Sequence, residues 1–222
     1  MGKLIIIEGT DGSGKQTQTT LLYENLKNMG YKVKKISFPN YESNACYPVK
    51  MYLTGEFGKS EDISYYASSS FYAIDRYASF KKDWESFYNS GGIVISDRYT
   101  ISNIIHQANR INDEDEFNNY CDWLLDFEWI KFGLPKPDLT IFLDVPYIVS
   151  NELMKNRLNK ITGKEQKDIL EADENQKLRA YSTAKKIAGK YDFSIINCVE
   201  NDKIKSIDKI QSELLEVVKK VL

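Results

Sequence analysis

The run Gly9-Thr10-Asp11-Gly12-Ser13-Gly14-Lys15-Gln16-Thr17 concentrates glycines, small hydroxyl residues and one lysine in a single short loop. Glycines let the backbone turn tightly, so that successive N–H groups face one concavity. A helix starting directly after the loop adds its positive N-terminus. Lys15 then supplies a point charge for β- and γ-phosphates. The plain alternative is a glycine-rich turn with an exposed lysine, and the apolar strand before the loop and the helix after it favour the cradle. The residue after such a lysine is usually Ser or Thr, whose hydroxyl ligates Mg²⁺, but here it is Gln16. A Gln carbonyl can also offer magnesium an oxygen. Thr17 lies about 100° further round the helix and cannot simply substitute. Magnesium is therefore expected on carboxylates and waters. Glu8, Asp11, Asp97 and Asp144 are positional candidates because all flank strand ends.

Asp97-Arg98-Tyr99 is the second constellation, placed immediately after the strand candidate Ile93 to Ser96. An Asp beside an Arg at a strand end can serve a metal and an anion together; a structural ion pair is the plainer reading. Phe71-Tyr72-Ala73-Ile74-Asp75-Arg76 puts aromatic rings near another arginine, although aromatics at helical spacing are more often core. Ser102 and His106 share one helical face, and Asn103 and Gln107 another. His106 is the single histidine, which excludes a His-rich metal centre. Any Ser-His-Asp mechanism would have to use it.

The elements that position these residues read as alternating strands and helices. Lys3 to Ile7 is a buried-strand candidate, its apolar run continuous rather than alternating, as in a parallel strand covered on both faces. Leu22, Leu26 and Met29 recur at helical spacing before Gly30. Lys32 to Phe38 reads as a strand ended by Pro39, and a long helical stretch covers about 64–88. After Gly91-Gly92 comes the strand Ile93 to Ser96. A helical region at about 115–132 leads through Pro135-Lys136-Pro137 into the strand Leu139 to Leu143. Phe193 to Asn197 is a fifth strand, and the last helix places Ile207, Ile210, Leu214, Val217 and Val221 on one face. The pattern predicts an α/β fold, a doubly wound parallel five-stranded sheet flanked by helices in one domain. Ligands in such sheets sit at the carboxyl ends of the strands.

Bulk composition narrows the function classes. The 222 residues carry 30 Lys plus Arg against 32 Asp plus Glu, a net charge of −2, so an indiscriminate polyanion binder is excluded and no nucleic-acid partner is expected. Cys46, Cys121 and Cys198 are widely spaced and form no C-x-x-C pair, which speaks against a disulfide scaffold or zinc site. The early apolar run Leu4 to Ile7 is too short for a signal peptide or membrane span. A soluble, reducing, cytoplasmic setting without a membrane partner is the default expectation.

These motifs together, in this order along most of the chain, resemble the thymidylate kinase family of phosphate-loop nucleoside monophosphate kinases. The resemblance rests on the loop with Asp11, on Phe38-Pro39-Asn40-Tyr41, on Phe71 to Arg76, and on Asp97-Arg98-Tyr99 followed by Ser102. It implies a P-loop NTPase fold, ATP with Mg²⁺, thymidine monophosphate (dTMP) as acceptor, and a homodimer. By resemblance, Tyr72 would stack on the thymine ring and Arg76 would hydrogen-bond the base. Arg98 would hold the acceptor phosphate with Tyr41 assisting, while Phe38 and Asp97 border that site. Ser102, Asn103 and Gln107 would border base and sugar. Asp11 would lie near the reacting phosphates and metal. Many members carry arginine where Tyr41 stands, but a branch with F-P-x-Y exists, and it also tolerates a non-hydroxyl residue after the lysine. His106 falls where the family usually has an aromatic residue beside the sugar.

The segment at about 156–172 carries Arg157, Lys160, Lys164 and Lys167, followed by Asp168 and Glu171. As a charge run it reads most simply as a solvated face. By resemblance it is a lid over ATP, with Arg157 contributing to catalysis beside Asp11, Lys15 and Arg98, and Glu171 joining Asp11 as a metal ligand. The planar fork of Arg157 spans phosphate oxygens better than a lysine does. The implied reaction moves the γ-phosphoryl of ATP to dTMP. Two alternatives remain: a deoxynucleoside kinase, which needs a carboxylate base such as Glu8 or Asp97, and a phosphate-loop binding switch without an acceptor site.

Overall fold

The central strand of the sheet is an unbroken apolar run because helices cover both of its faces. The computed structural model describes residues 1–154 and 174–222. In chain order these form β1 (Lys3–Glu8), α1 (Lys15–Asn28), β2 (Val33–Ser37), α2 (Tyr47–Leu53), α3 (Tyr65–Ser79), α4 (Glu85–Asn89), β3 (Ile93–Asp97) and α5 (Ile101–Gln107). They continue through α6 (Glu114–Leu125), β4 (Leu139–Asp144), α7 (Tyr147–Met154), α8 (Glu174–Lys190), β5 (Ser194–Asn197), a short antiparallel pair β6 (Val199–Glu200) and β7 (Lys203–Ile204), and α9 (Ile207–Lys219). The main sheet has five strands in the order β2-β3-β1-β4-β5, every neighbouring pair parallel. This is the predicted doubly wound sheet.

Side chains of β1 alternate between two cores, as strand geometry requires. Ile5 and Ile7 pack with Leu22 and Leu26 of α1 and with Ile210, Leu214 and Val218 of α9. Leu4 and Ile6 face the other way, onto Phe80, Trp84, Tyr88 and Tyr99. Burying one such aliphatic side chain contributes about 1.5–3 kcal/mol. The position of the loop that follows β1 is thus held by two packed layers.

Local outcomes refine the expected helices. Met29 is 47% exposed, because α1 ends there; Gly30 then takes φ 88° and its N–H donates to Lys27 O while that of Tyr31 donates to Leu26 O. The long stretch at 64–88 is α3 and α4 joined by a π-helical turn at Phe80–Trp84, and the 115–132 region is α6 ending in another at Asp126–Lys131. In α9 the buried seam is Ile210, Leu214 and Val218, whereas Ile207 is exposed. Among the described residues no helix is long and apolar enough to cross a membrane.

Candidate active site

The loop leaving β1 packs against α7 at close range. Gly12 has φ 80°, and a Cβ built on it would lie 2.5 Å from Ser150 O and 2.9 Å from Met154 Cγ. Gly14, also at φ 80°, begins α1 in a left-handed conformation that L side chains disfavour. Lys15 is buried, its Nζ donating to Thr10 O at 2.7 Å and to Ser13 Oγ at 3.4 Å. Burial, then repulsion from Arg98, brings its pKa down to about 8, against the pull of Asp11, Asp97 and Glu8. The cradle therefore holds a buried lysine whose charge a bound polyphosphate would offset. Gln16 and Thr17 are exposed on the first turn of α1.

Arg98 draws the end of β3 to this loop. Its φ is 69°, a left-handed conformation that costs a non-glycine residue of order 1 kcal/mol and clusters at functional sites. The backbone is secured by Arg98 N–H donating to Ile7 O and by Ser96 Oγ donating to Arg98 O. From there the guanidinium reaches Asp11 Oδ1 at 2.5 Å, His106 Nε2 at 2.7 Å and Ser102 Oγ at 3.4 Å. Because arginine only donates, His106 Nε2 is the acceptor and the ring proton sits on Nδ1. Burial, then Arg98, lowers the His106 pKa to about 3, so the imidazole is neutral. Glu8 is fully buried; Ser102 Oγ and Tyr99 N–H donate to it, and burial raises its pKa despite Arg98 and Lys15.

One cavity of about 850 Å³ opens beside Arg98. Phe38, Tyr41, Tyr72, Arg76, Asp97, Arg98, Ser102, Asn103 and Gln107 all line it, as do Asp11, Gln16 and His106. The sequence-predicted acceptor residues thus share one space next to the phosphate loop. Asp75 Oδ2 accepts from Asn40 N–H at 2.8 Å, which ties the Phe38–Tyr41 segment to α3. Gln107 Oε1 accepts from Ser68 Oγ and Tyr52 OH, and Asn103 Nδ2 donates to Ser69 O, so both amides are held in fixed orientations. Across Asp11 and His106 lies a smaller cavity of about 30 Å³ whose walls include Thr10, Ser150 and Gln176.

Arg157 and Glu171, with the rest of the expected lid at 156–172, lie outside the described residues. Asp144 accepts from Tyr181 OH and pairs with Lys185, so it anchors α8 to the end of β4. Sequence reasoning missed Glu128: it is fully buried, takes Arg76 Nε and Nη2 at 2.7 and 2.6 Å, and accepts from Thr100 Oγ1 at 2.8 Å. No motif surrounds it, and the only available signal was an acid between Phe127, Trp129 and Ile130. The walls contributed by α7 and α8 were missed as well.

The oxygen donors present suit a hard cation. Asp97 Oδ1 is buried without a hydrogen-bond partner, and Asp11 and Gln16 line the same cavity. Among the described residues no three His, Cys, Asp or Glu side chains converge on a metal-sized space. Mg²⁺ is commonly held by one or two carboxylates, waters and substrate phosphates, and Asp97 and Asp11 are the carboxylates that could hold it here.

The chain matches known proteins along most of its length. The thymidylate kinase family model covers residues 7–205. A thymidylate kinase of Mycobacterium tuberculosis is 32% identical over 162 residues, 72% of this chain and 74% of that protein. One from Plasmodium falciparum is 31% identical over 218 residues, 96% and 92% of the two chains. The solved structure of thymidylate kinase from Candida albicans superposes with a TM-score of 0.73 at 26% identity, covering 99% of this chain and 92% of that one. With the phosphate loop, the Asp97-Arg98-Tyr99 turn and the shared cavity already in place, the chain belongs to the thymidylate kinase family.

Proposed function

We propose that the protein transfers the γ-phosphoryl group of ATP to dTMP, giving ADP and dTDP. The observation that carries this reading is the common cavity: Tyr41, Tyr72, Arg76, Arg98 and Asn103 face one space that abuts the phosphate loop through the Asp11–Arg98 pair. The loop N–H groups and Lys15 bind the β- and γ-phosphates. Arg98 and Tyr41 hold the acceptor phosphate, and Tyr72 and Arg76 hold the base. Mg²⁺, when bound, neutralises phosphate charge and would be held by Asp11, the free oxygen of Asp97 and waters. The acceptor is already an oxyanion, so alignment and cationic stabilisation suffice without a general base. Neutral His106 fits this: it accepts from Arg98 and adds no positive charge of its own.

The wider reading includes a single nucleoside monophosphate kinase domain over residues 1–222. A lid at about 156–172 would bring Arg157 to ATP and Glu171 to the metal. A homodimer in the cytoplasm completes it, and the free, buried Cys46, Cys121 and Cys198 suit a reducing compartment. A deoxynucleoside kinase would need a carboxylate base at the sugar; Glu8 is engaged by Ser102 and Tyr99, which leaves Asp97, whose free oxygen this reading gives to the metal. The test is ADP formation measured with dTMP, dUMP, dCMP, UMP and thymidine in turn. dTMP should give the highest kcat/KM and thymidine almost none. Faster turnover with thymidine than with dTMP would replace this reading with the nucleoside kinase.

A further inference from the structure

Arg76 meets the acceptor cavity with only part of its guanidinium. Its Nε and Nη2 are taken side-on by the two oxygens of Glu128, at 2.7 and 2.6 Å, and Nη1 reaches Tyr99 O at 3.5 Å. Both partners are almost fully buried, at 1% and 0% side-chain exposure. Thr100 Oγ1 donates to Glu128 Oε2 at 2.8 Å and holds the carboxylate in place. One further N–H each at Nη1 and Nη2 is what remains for a ligand.

A fully buried ion pair is weak evidence for stability, since apolar residues of similar volume often serve a fold as well. Two observations point to function. Arg76 lines the acceptor cavity. The helices that carry the pair both run into π-helical turns, at Phe80–Trp84 beyond Arg76 and at Asp126–Lys131 around Glu128, and single π turns in helices are frequent at functional sites. The second turn directs Glu128 inward while Ile130 is exposed.

We propose that Glu128 is a positioning residue that sets what Arg76 recognises: by neutralising the guanidinium and fixing its plane, it makes the cavity floor a donor to a neutral carbonyl rather than an anion site. This inference rests on the base-binding role assigned to Arg76 above. A pyrimidine with a 4-oxo group gives the remaining N–H an acceptor. A 4-amino group would set donor against donor and leave a buried polar group unpaired, which sites built for hydrogen bonding reject strongly.

Glu128→Gln keeps the shape but replaces one acceptor oxygen with a donor, so the fork loses its side-on lock. KM should rise about tenfold for dTMP and, in parallel, for dUMP, which shares the 4-oxo group, with kcat and KM for ATP within about twofold. The preference for dTMP over dCMP should shrink. Thr100→Val removes only the hydroxyl that orients Glu128, and it should raise the same two KM values about threefold. An unchanged KM for dTMP in whichever variant folds, or a rise shared equally with ATP, overturns the proposal. A wild type that forms no ADP with dTMP would sink the kinase reading itself, a separate failure visible in the control.

Discussion

Arg98 holds Asp11, Ser102 and His106 at once, so one side chain joins the phosphate loop to the acceptor cavity. In the proposed reaction it would offset the repulsion between two anionic substrates, work worth about 3–4 kcal/mol for a single well-placed donor. Arg98→Ala should therefore cut dTMP-dependent ADP formation by at least about 100-fold while ATP binding, followed by calorimetry, survives. Unchanged turnover would reject the assignment. Arg98 and its loop partner were legible because each sits in a short contiguous motif at a strand end. Glu128 was not, since its partners Arg76 and Thr100 are 52 and 28 residues away and only tertiary packing brings them together.

The strands were readable because burial on both faces demands continuous apolar runs, and the run in β1 met that demand directly. The helices were readable where large aliphatic or aromatic residues marked the stretch. In α8 the buried stripe is largely Ala180, Ala184 and Ala188, small residues whose spacing gives little hydrophobic contrast. The π-helical turns also escape sequence reasoning, because they depend on which side chain the core must receive. The approach of α7 to the phosphate loop is such a feature, and it makes Gly12 the element-scale test. In Gly12→Ala the new methyl would collide with Ser150 O, and the positive φ would add strain. A cost of about 2 kcal/mol is expected, lowering Tm by about 4–8 °C, with turnover reduced because the loop must shift. A Tm within about 1 °C of the wild type would show that α7 yields freely.

At the scale of the whole molecule, a net charge of −2 conceals a cluster of buried titratable groups at one sheet edge, and that cluster ties the fold to pH. His106 falls from 6.5 to about 3 on folding, under burial and then Arg98. Between those values the unfolded chain binds a proton that the native chain refuses, so its contribution is present above pH 6.5 and is lost as pH falls. Asp75 rises from 3.8 to about 6, chiefly through burial. Between those values the native chain holds a proton that the unfolded chain has released, so its contribution is lost as pH rises. The two slopes oppose one another from about pH 4 to 6, each at most about 1.4 kcal/mol per pH unit. Glu8, raised by burial, acts in the same sense as Asp75. Urea unfolding across this window reports the sum of these slopes in the wild type, with Glu8 adding to the Asp75 side. Asp75→Asn retains an acceptor for Asn40 N–H and removes one of the slopes opposing His106, so its stability should shift upward with pH relative to the wild type. His106→Gln removes the opposing slope, so its stability should fall more steeply with pH than that of the wild type. If both variants run parallel to the wild type, the proton uptake assigned to these two side chains is wrong, and the neutral imidazole beside Arg98 loses its support.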